Sequence, residues 1–472
     1  MLRLADVMEA LTGKRPEASL IISEAAVDSR QVIPGAMFVA LPGEHADGHD
    51  YLASAFERGA HIALVQQDCS EQYPTLDLRS GGLPEPLQIP EVPFCLWVKD
   101  SLAALQTIAG FWRQRLDVRV IGITGSVGKS TTKELVAQVL SQRYRTMKNP
   151  GNLNNEIGLP LTLLQLSEGT QRAVLEMGFF VPGEISFLCK LARPQVGVIT
   201  NVGTVHAERA GSQEAIAQGK GELVEALPPS PEGVAILNYD DPWVRGMAAR
   251  TKARVFYYGL DPRSHLWADD IEGLGLKGIR FQLHVLNETL HLRVPLIGRH
   301  SVHTVLRAAA VGLAEGLSWQ EVIDGLQHSL TQLRLATVRT SSGALIIDDS
   351  YNASPESTLA ALNLLSEIEG NKVAVLGDML ELGPYEQEGH EIVGVRVAEV
   401  ANRLVTVGRL GNLIGKAARQ AGMPAQAITS VEDVNDVADL LKGMLKSEDV
   451  VLIKGSHGLR MDRIVSSLEA ES

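Results

Sequence analysis

One stretch limits what this chain can fold into more than any other: Thr124-Gly125-Ser126-Val127-Gly128-Lys129-Ser130-Thr131-Thr132. It follows the apolar run from Val118 to Ile123, which reads as a buried strand. It opens a segment, Lys129 to Gln142, with apolar residues at helical spacing (Leu135/Val139, Val136/Leu140). Strand, Gly-bearing turn and helix N-terminus together make a phosphate cradle, because unpaired backbone N–H groups and the helix dipole face the same anion. Lys129 has the reach for the outer phosphates, and the Ser130 hydroxyl suits a magnesium ion. A nucleoside triphosphate is therefore expected, held by Gly125, Ser126, Val127, Gly128, Lys129, Ser130 and Thr131. The strict P-loop pattern wants Gly where Ile123 stands, so Gly125 gives a shorter variant.

Length and charge narrow the class. A chain of 472 residues is too long for one ordinary core, so several domains are expected. A formal net charge of -13 argues against nucleic acid, which is bound largely by Lys and Arg on phosphates. Cys69, Cys95 and Cys189 have neither zinc spacing nor a disulfide framework, and all three are expected to be buried, inert thiols. The start, Met1-Leu2-Arg3-Leu4-Ala5-Asp6-Val7, lacks the pattern of a signal peptide, and no apolar run is long enough to cross a bilayer. A cytoplasmic protein, without membrane insertion and monomeric, is expected.

The first hundred residues read as a small α/β unit. Gly35 to Leu41 and Ala60 to Val65 look like strands, Asp50 to Gly59 is helical, and Gln66 to Pro93 reads as loops. A helix from Ser101 to Arg115 leads into the phosphate-loop strand. The middle third alternates short apolar runs (Ala173 to Glu176, Val196 to Thr200) with helical sequence, then turns to alternating strands from Arg254 to Val294 that suggest an antiparallel edge. The last third restarts a doubly wound α/β rhythm, with strands at Ala344 to Ile347, Lys372 to Leu376, Leu404 to Val407 and Val450 to Ile453. Ser354-Pro355-Glu356 marks a helix start, with a capping hydroxyl and Pro at the first helical position. The fold class is α/β, with a small first domain, a central mostly parallel sheet carrying the phosphate loop, and a Rossmann-like last domain. The boundaries are drawn at 1–97, 98–332 and 333–472.

Ligands of open parallel sheets bind beyond the carboxyl ends of strands. Glu176, Asn201, His206, Asp348, Asp349, Asp378 and Lys454 fall at such ends. Glu176 suits a magnesium ligand, against the alternative of a salt-bridged strand-end acid. His206 is a metal ligand or a loop cap. The amide-rich run Asn149 to Gly158 suits neutral donor–acceptor ligands, or is an ordinary turn. By its own neighbourhood, Gln218-Gly219-Lys220-Gly221-Glu222, Lys220 reads as a helix-surface lysine.

Taken together, these residues resemble the Mur ligase family, over essentially the whole chain. Asp28-Ser29-Arg30, Pro34 to Glu44 and Asp47-Gly48-His49 are similar to its uridine-nucleotide domain. Thr124 to Thr132 resembles its ATP loop. Asn152 to Asn155, Glu176-Met177-Gly178 and Thr200 to His206 resemble central motifs, and Asp348 to Pro355 and Lys454-Gly455-Ser456 resemble motifs of the last domain. Leu376 to Gly383, with His390 after it, resembles the branch that joins D-alanyl-D-alanine to a UDP-N-acetylmuramoyl-tripeptide.

The resemblance implies ATP and two magnesium ions as cofactors, and an acyl phosphate made from a substrate carboxylate and attacked by the dipeptide amine. By position it implies that Lys129, His206 and Lys220 are catalytic. Ser130, Glu176, His206 and Lys220 would be the metal ligands, Lys220 as a carbamate. His300, Arg334 and Asp349 would be further nucleotide contacts, and Ser29, Arg30, Gly43, Asn154, Asn155 and Asn352 substrate contacts. The segment Gly298 to Thr304 departs from the family, with Ser301 and Thr304 where Asn is usual, so weaker or re-routed adenine recognition is expected. His457 stands for a usual Arg. Other amino-acid-adding Mur ligases, folylpolyglutamate synthetases, a P-loop switch without ligase activity and an inactive nucleotide-binding paralogue are the competing readings. The Leu376 to Gly383 loop and the joint presence of Lys129, Glu176, His206 and Lys220 weigh against them.

Overall fold

The computed structural model describes residues 1–43, 46–84, 87–286, 288–327 and 336–469. Its strands form three sheets. The first contains β1 (Ala25–Ala26), β2 (Met37–Val39), β3 (Ile62–Val65), β4 (Thr75–Asp77) and β5 (Phe94–Trp97), in the order β1-β2-β3-β5-β4 with every pair parallel.

The second sheet contains β6 (Arg119–Thr124), β7 (Thr146–Lys148), β8 (Arg172–Glu176), β9 (Val196–Ile199) and β10 (Val234–Asn238). It continues with β11 (Arg254–Gly259), β12 (Leu266–Gly273), β13 (Ile279–Val285) and β14 (Glu288–Val294). Its order is β14-β13-β12-β11-β10-β9-β6-β8-β7. The third sheet contains β15 (Ala336–Arg339), β16 (Leu345–Asp349), β17 (Asn371–Gly377), β18 (Arg403–Val407), β19 (Ile428–Val431) and β20 (Asp449–Lys454), in the order β15-β16-β20-β17-β18-β19.

Strands buried on both faces read as unbroken apolar runs, and β10 and β20 are buried at every position. Helices cover both faces of the third sheet, with Leu362, Leu365, Val393 and Val397 in one core and Val437, Leu441, Ile464 and Val465 in the other. This is the doubly wound arrangement expected of the last third.

The chain divides into two compact units, one of Met1–Gly122, Tyr144–Gly178 and Glu184–Gln195, the other of Ile123–Arg143, Phe179–Gly183 and Val196–Ser472. In the first, helix Ser101–Gln114 is capped by the Asp100 carboxylate, which accepts from the Ala103 N–H at 2.8 Å. Arg113 of that helix is buried and gives its guanidinium to the carbonyls of Ala192, Leu116 and Val118 at 2.7–3.0 Å. In the second unit Ser354 caps helix Pro355–Glu367 as expected, and its hydroxyl accepts from the Ser357 N–H at 3.2 Å.

Several local expectations need correction. The strand predicted at Gly35 to Leu41 shortens to β2. The helix at Asp50 to Gly59 is a 3-10 turn, Gly48–Tyr51, followed by Leu52–Glu57. Gln66 to Pro93 is not all loop, because β4 pairs with β5 there, at Thr75 opposite Cys95. β11 runs parallel to β10, so the antiparallel edge starts only at β12–β13. Cys95 and Cys189 are buried but Cys69 is half-exposed. No helix among the described residues is long and apolar enough to cross a membrane.

Candidate active site

The phosphate loop leaves the carboxyl end of β6 and enters helix Lys129–Leu140 through two glycines with positive φ, a conformation that side chains disfavour. Gly125 has φ 149°, and a Cβ there would lie 1.8 Å from the Thr200 hydroxyl oxygen at the end of β9. Gly128 is the N-cap of the helix at φ 81°. The segment after β9, Thr200 to Gly203, braces the loop. The Ser126 N–H donates to the Asn201 carbonyl at 3.0 Å, and the Val127 N–H to the Asn201 side-chain oxygen at 2.9 Å. The Thr200 hydroxyl donates to the Val127 carbonyl at 2.7 Å, and the Gly203 N–H to the Ser126 hydroxyl at 2.8 Å. With those groups spent on the loop itself, the first-turn N–H groups of the helix are the donors placed for an anion. The Lys129 ammonium folds back onto the carbonyls of Gly125 and Ser126, at 2.8 and 3.2 Å. Ser130 is buried beside it, and Thr131 is half-buried.

Lys220 is not the surface lysine its neighbourhood suggested. It is fully buried on helix Gln213–Glu225, with its ammonium nitrogen 4.6 Å from the centre of the Phe179 ring. Burial, and then the charge of Lys129, hold its pKa well below that of an ordinary lysine. A sequence signal for this existed in the flanking glycines. A Cβ at Gly219 would lie 2.1 Å from the Phe179 ring, and one at Gly221 would lie 2.0 Å from the Arg250 guanidinium. Two glycines inside a helix are unfavourable unless close packing requires them.

Glu176, at the end of β8, is buried, and its carboxylate accepts from the Asn154 side-chain amide at 2.9 Å. Asn149 brackets its backbone, accepting from the Glu176 N–H at 2.9 Å and donating to its carbonyl at 3.2 Å. Asn155 is exposed and spends its side-chain oxygen capping helix Gly158–Leu164, accepting from the Gly158 N–H at 2.8 Å. The amide-rich run is thus partly scaffold and partly a brace for Glu176.

His206 has φ 71°, and its Nδ1 lies 2.6 Å from the Glu381 carboxylate. Its ring meets Phe180 edge-on at 4.9 Å. Glu381 itself has φ 64°, and its carbonyl accepts from the Glu208 N–H at 3.3 Å. Glu381 lies within the Leu376 to Gly383 loop, and nothing local in the sequence links it to His206. That loop is anchored by His390, fully buried, whose Nε2 accepts from the Met379 N–H at 3.0 Å while its Nδ1 faces the Glu386 carbonyl at 2.6 Å.

At the end of β16, Asp349 pairs with the buried Lys454 at 2.6 Å, and Lys454 also donates to the Asn352 carbonyl at 2.8 Å. The Asn352 side chain is exposed, with its oxygen on the Ala353 N–H at 2.9 Å. His300 is exposed at the N-cap of helix Ser301–Ala314. Thr304 of that helix is buried, and its hydroxyl accepts from the Arg307 guanidinium at 2.7 Å. Arg334 lies outside the described residues. In the first unit Ser29 is buried, while Arg30 is exposed and pairs with Asp28 at 2.8 Å. The Gly43 N–H donates to the Ala46 carbonyl at 3.1 Å.

The hydroxyl of Ser130 and the carboxylate of Glu176 are oxygen donors that fit magnesium, whereas the imidazole nitrogen of His206 is a softer donor than this hard cation prefers. Lys220 fits only after gaining carboxylate-like oxygens, since an ammonium has no lone pair to give. Among the described residues no three His, Cys, Asp or Glu side chains cluster as a metal site.

Comparison with known proteins places these features in a family. Residues 22–76 match the Mur ligase family catalytic domain, 123–312 the Mur ligase middle domain, and 333–457 the Mur ligase glutamate ligase domain. The UDP-N-acetylmuramoyl-tripeptide--D-alanyl-D-alanine ligase of Bacillus subtilis is 35% identical, over 98% of this chain and 97% of that one. The enzyme of the same name from Escherichia coli is 32% identical, over 99% and 98%. The solved structure of MurF from Acinetobacter baumannii superposes with a TM-score of 0.83 at 28% identity, covering 98% of each chain. That of MurF ligase from Thermotoga maritima in complex with ADP gives 0.78 at 27%, covering 95% of this chain and 98% of that one. This chain belongs to the Mur ligase family.

Proposed function

We propose that this protein is an ATP-dependent amide ligase that joins D-alanyl-D-alanine to UDP-N-acetylmuramoyl-tripeptide, a step in making peptidoglycan precursors. The observation that carries the reading is full-length similarity to enzymes of that name, with an intact phosphate loop under Lys129. A carboxylate is a poor acylating agent until its oxygen becomes part of a phosphate leaving group. In this reading the tripeptide carboxylate attacks the γ-phosphorus of ATP and ADP departs. The dipeptide amine then attacks the acyl carbon, loses a proton, and inorganic phosphate leaves.

The protein's share is alignment and charge neutralisation. Lys129 turns from the loop carbonyls to the γ-phosphate, and the first-turn N–H groups of helix Lys129–Leu140 hold the chain of phosphates. Ser130, Glu176, His206 and Lys220, the last as a carbamate, would hold two magnesium ions, whose charge would offset that of the phosphates. The lowered pKa of Lys220 supports the carbamate, because only the neutral amine attacks carbon dioxide. His300, Arg334 and Asp349 contact the nucleotide. Ser29, Arg30 and Gly43 contact the uridine nucleotide, and Asn154, Asn155 and Asn352 the peptide substrates. The division of labour is 1–97 for the uridine nucleotide, 98–332 for ATP, and 333–472 for the amine and part of ATP, in a cytoplasmic monomer.

The test is phosphate release from ATP with the uridine-linked tripeptide, with and without D-alanyl-D-alanine. Sustained release should require both. Release indifferent to both substrates would sink the ligase assignment.

A further inference from the structure

We infer that Arg307 is a second cationic residue of the nucleotide site, which braces the glycine turn of the phosphate loop and sets its charge behind the bound polyphosphate. The inference rests on the nucleotide reading of Thr124 to Thr132. Arg307 sits on helix Ser301–Ala314 and is 4% exposed. Its guanidinium lies against Gly128, with Nη2 3.3 Å and Cζ 3.9 Å from where a Cβ on that glycine would be. Gly128 is the N-cap of the phosphate-loop helix, so the guanidinium faces the turn from which the anion-binding N–H groups project.

Two observations separate Arg307 from a structural arginine. The first is its unspent donors. Arg113, equally buried, gives three nitrogens to three backbone carbonyls. Arg307 gives Nη2 to the Thr304 hydroxyl at 2.7 Å and also engages the Tyr258 phenol, with Cζ 5.9 Å from that ring's centre, while its Nε is buried with no partner. The second is its charge. A guanidinium stays protonated in any protein, and burying it without a counter-ion is costly. Among the described residues no carboxylate pairs with Arg307. An anion in the adjoining loop supplies that missing charge, so Arg307 favours the loaded loop over the empty one. Thr304 then has a role of its own, as the acceptor that orients Arg307.

Arg307 acts through the turn and through its charge, so it is a positioning residue, and its effect should scale with phosphate rather than base. The test compares ADP with adenosine, as a competitor of ADP, on the full chain by calorimetry, for wild type, Arg307→Met, Arg307→Gln and Arg307→Lys. Removing the charge should weaken ADP roughly tenfold, the scale of one charge-assisted contact, and leave adenosine unchanged. Arg307→Lys should recover most of the loss. Equal losses for both ligands, or no loss for ADP, would overturn the inference in favour of a packing role. Should Arg307→Met fail to fold in a thermal melt, Arg307→Gln, which keeps polar donors, makes the same comparison. Failure of the wild type to bind ADP would instead defeat the nucleotide reading.

Discussion

Replacing Lys220 by Met should separate stability from activity. Lys220 is fully buried against Phe179, close enough to Lys129 to feel its charge, and has no salt bridge among the described residues. Folding must either bury its ammonium or strip its proton. Met keeps the length of the stem and the contact with the ring while removing the amine. A buried polar group without full compensation costs about 1–3 kcal/mol, so Lys220→Met should be more stable by about that amount at pH 7.

The pH dependence has a definite sign. The folded pKa is depressed below the ordinary 10.5, so at pH 7 the unfolded chain holds a proton that the folded chain holds less tightly. The penalty carried by the wild type is therefore full below the folded pKa and shrinks as the pH rises from there toward 10.5. Urea unfolding at several pH values, in metal-free buffer purged of carbon dioxide, reads both effects. Ligase turnover should be nearly lost in this variant and in Lys220→Ala, with partial rescue of the Ala variant by short carboxylates. A less stable Lys220→Met protein, or a gap that does not narrow with rising pH, would refute the account of a desolvated amine. Full activity would remove Lys220 from the site.

Two further outcomes follow from the loop at Leu376 to Gly383. Glu381→Gln keeps the shape of the side chain that meets His206 at 2.6 Å but removes its charge, so the magnesium concentration for half-maximal turnover should rise roughly tenfold; an unchanged magnesium dependence would dismiss Glu381 as an orienting group. His390 is held below its ordinary pKa of 6.5, chiefly by burial, although the Glu386 carbonyl, Asp378 and Glu386 pull the other way. Its contribution to stability is full above pH 6.5 and is lost as the pH falls below that value toward the folded pKa, so His390→Asn should flatten the acid limb of a stability–pH curve.

The comparison of sequence with structure turns on distance along the chain. Strand, Gly125, Gly128 and helix start lie within a dozen neighbouring residues, and steric rules about glycine, helix ends and apolar runs act at that range. The phosphate loop was therefore legible, as were the Ser354 cap and four central strands of the third sheet. Edge strand β19 was not legible: half of its residues face solvent, and it carries little apolar signal. Strand β15, paired only with β16, was missed as well.

The sequence by itself determined the α/β class, the phosphate cradle and the placing of polar residues at strand ends, because each depends on local period and local sterics. Tertiary structure alone decided what those residues face. Lys220 became a desolvated amine because it is buried against Phe179, within range of the Lys129 charge. His206 met Glu381 across 175 positions of chain, and the Arg307 guanidinium came to lie on Gly128. Burial and charge pairing at such separations depend on how sheets and helices pack, and no repeat in the sequence encodes that packing.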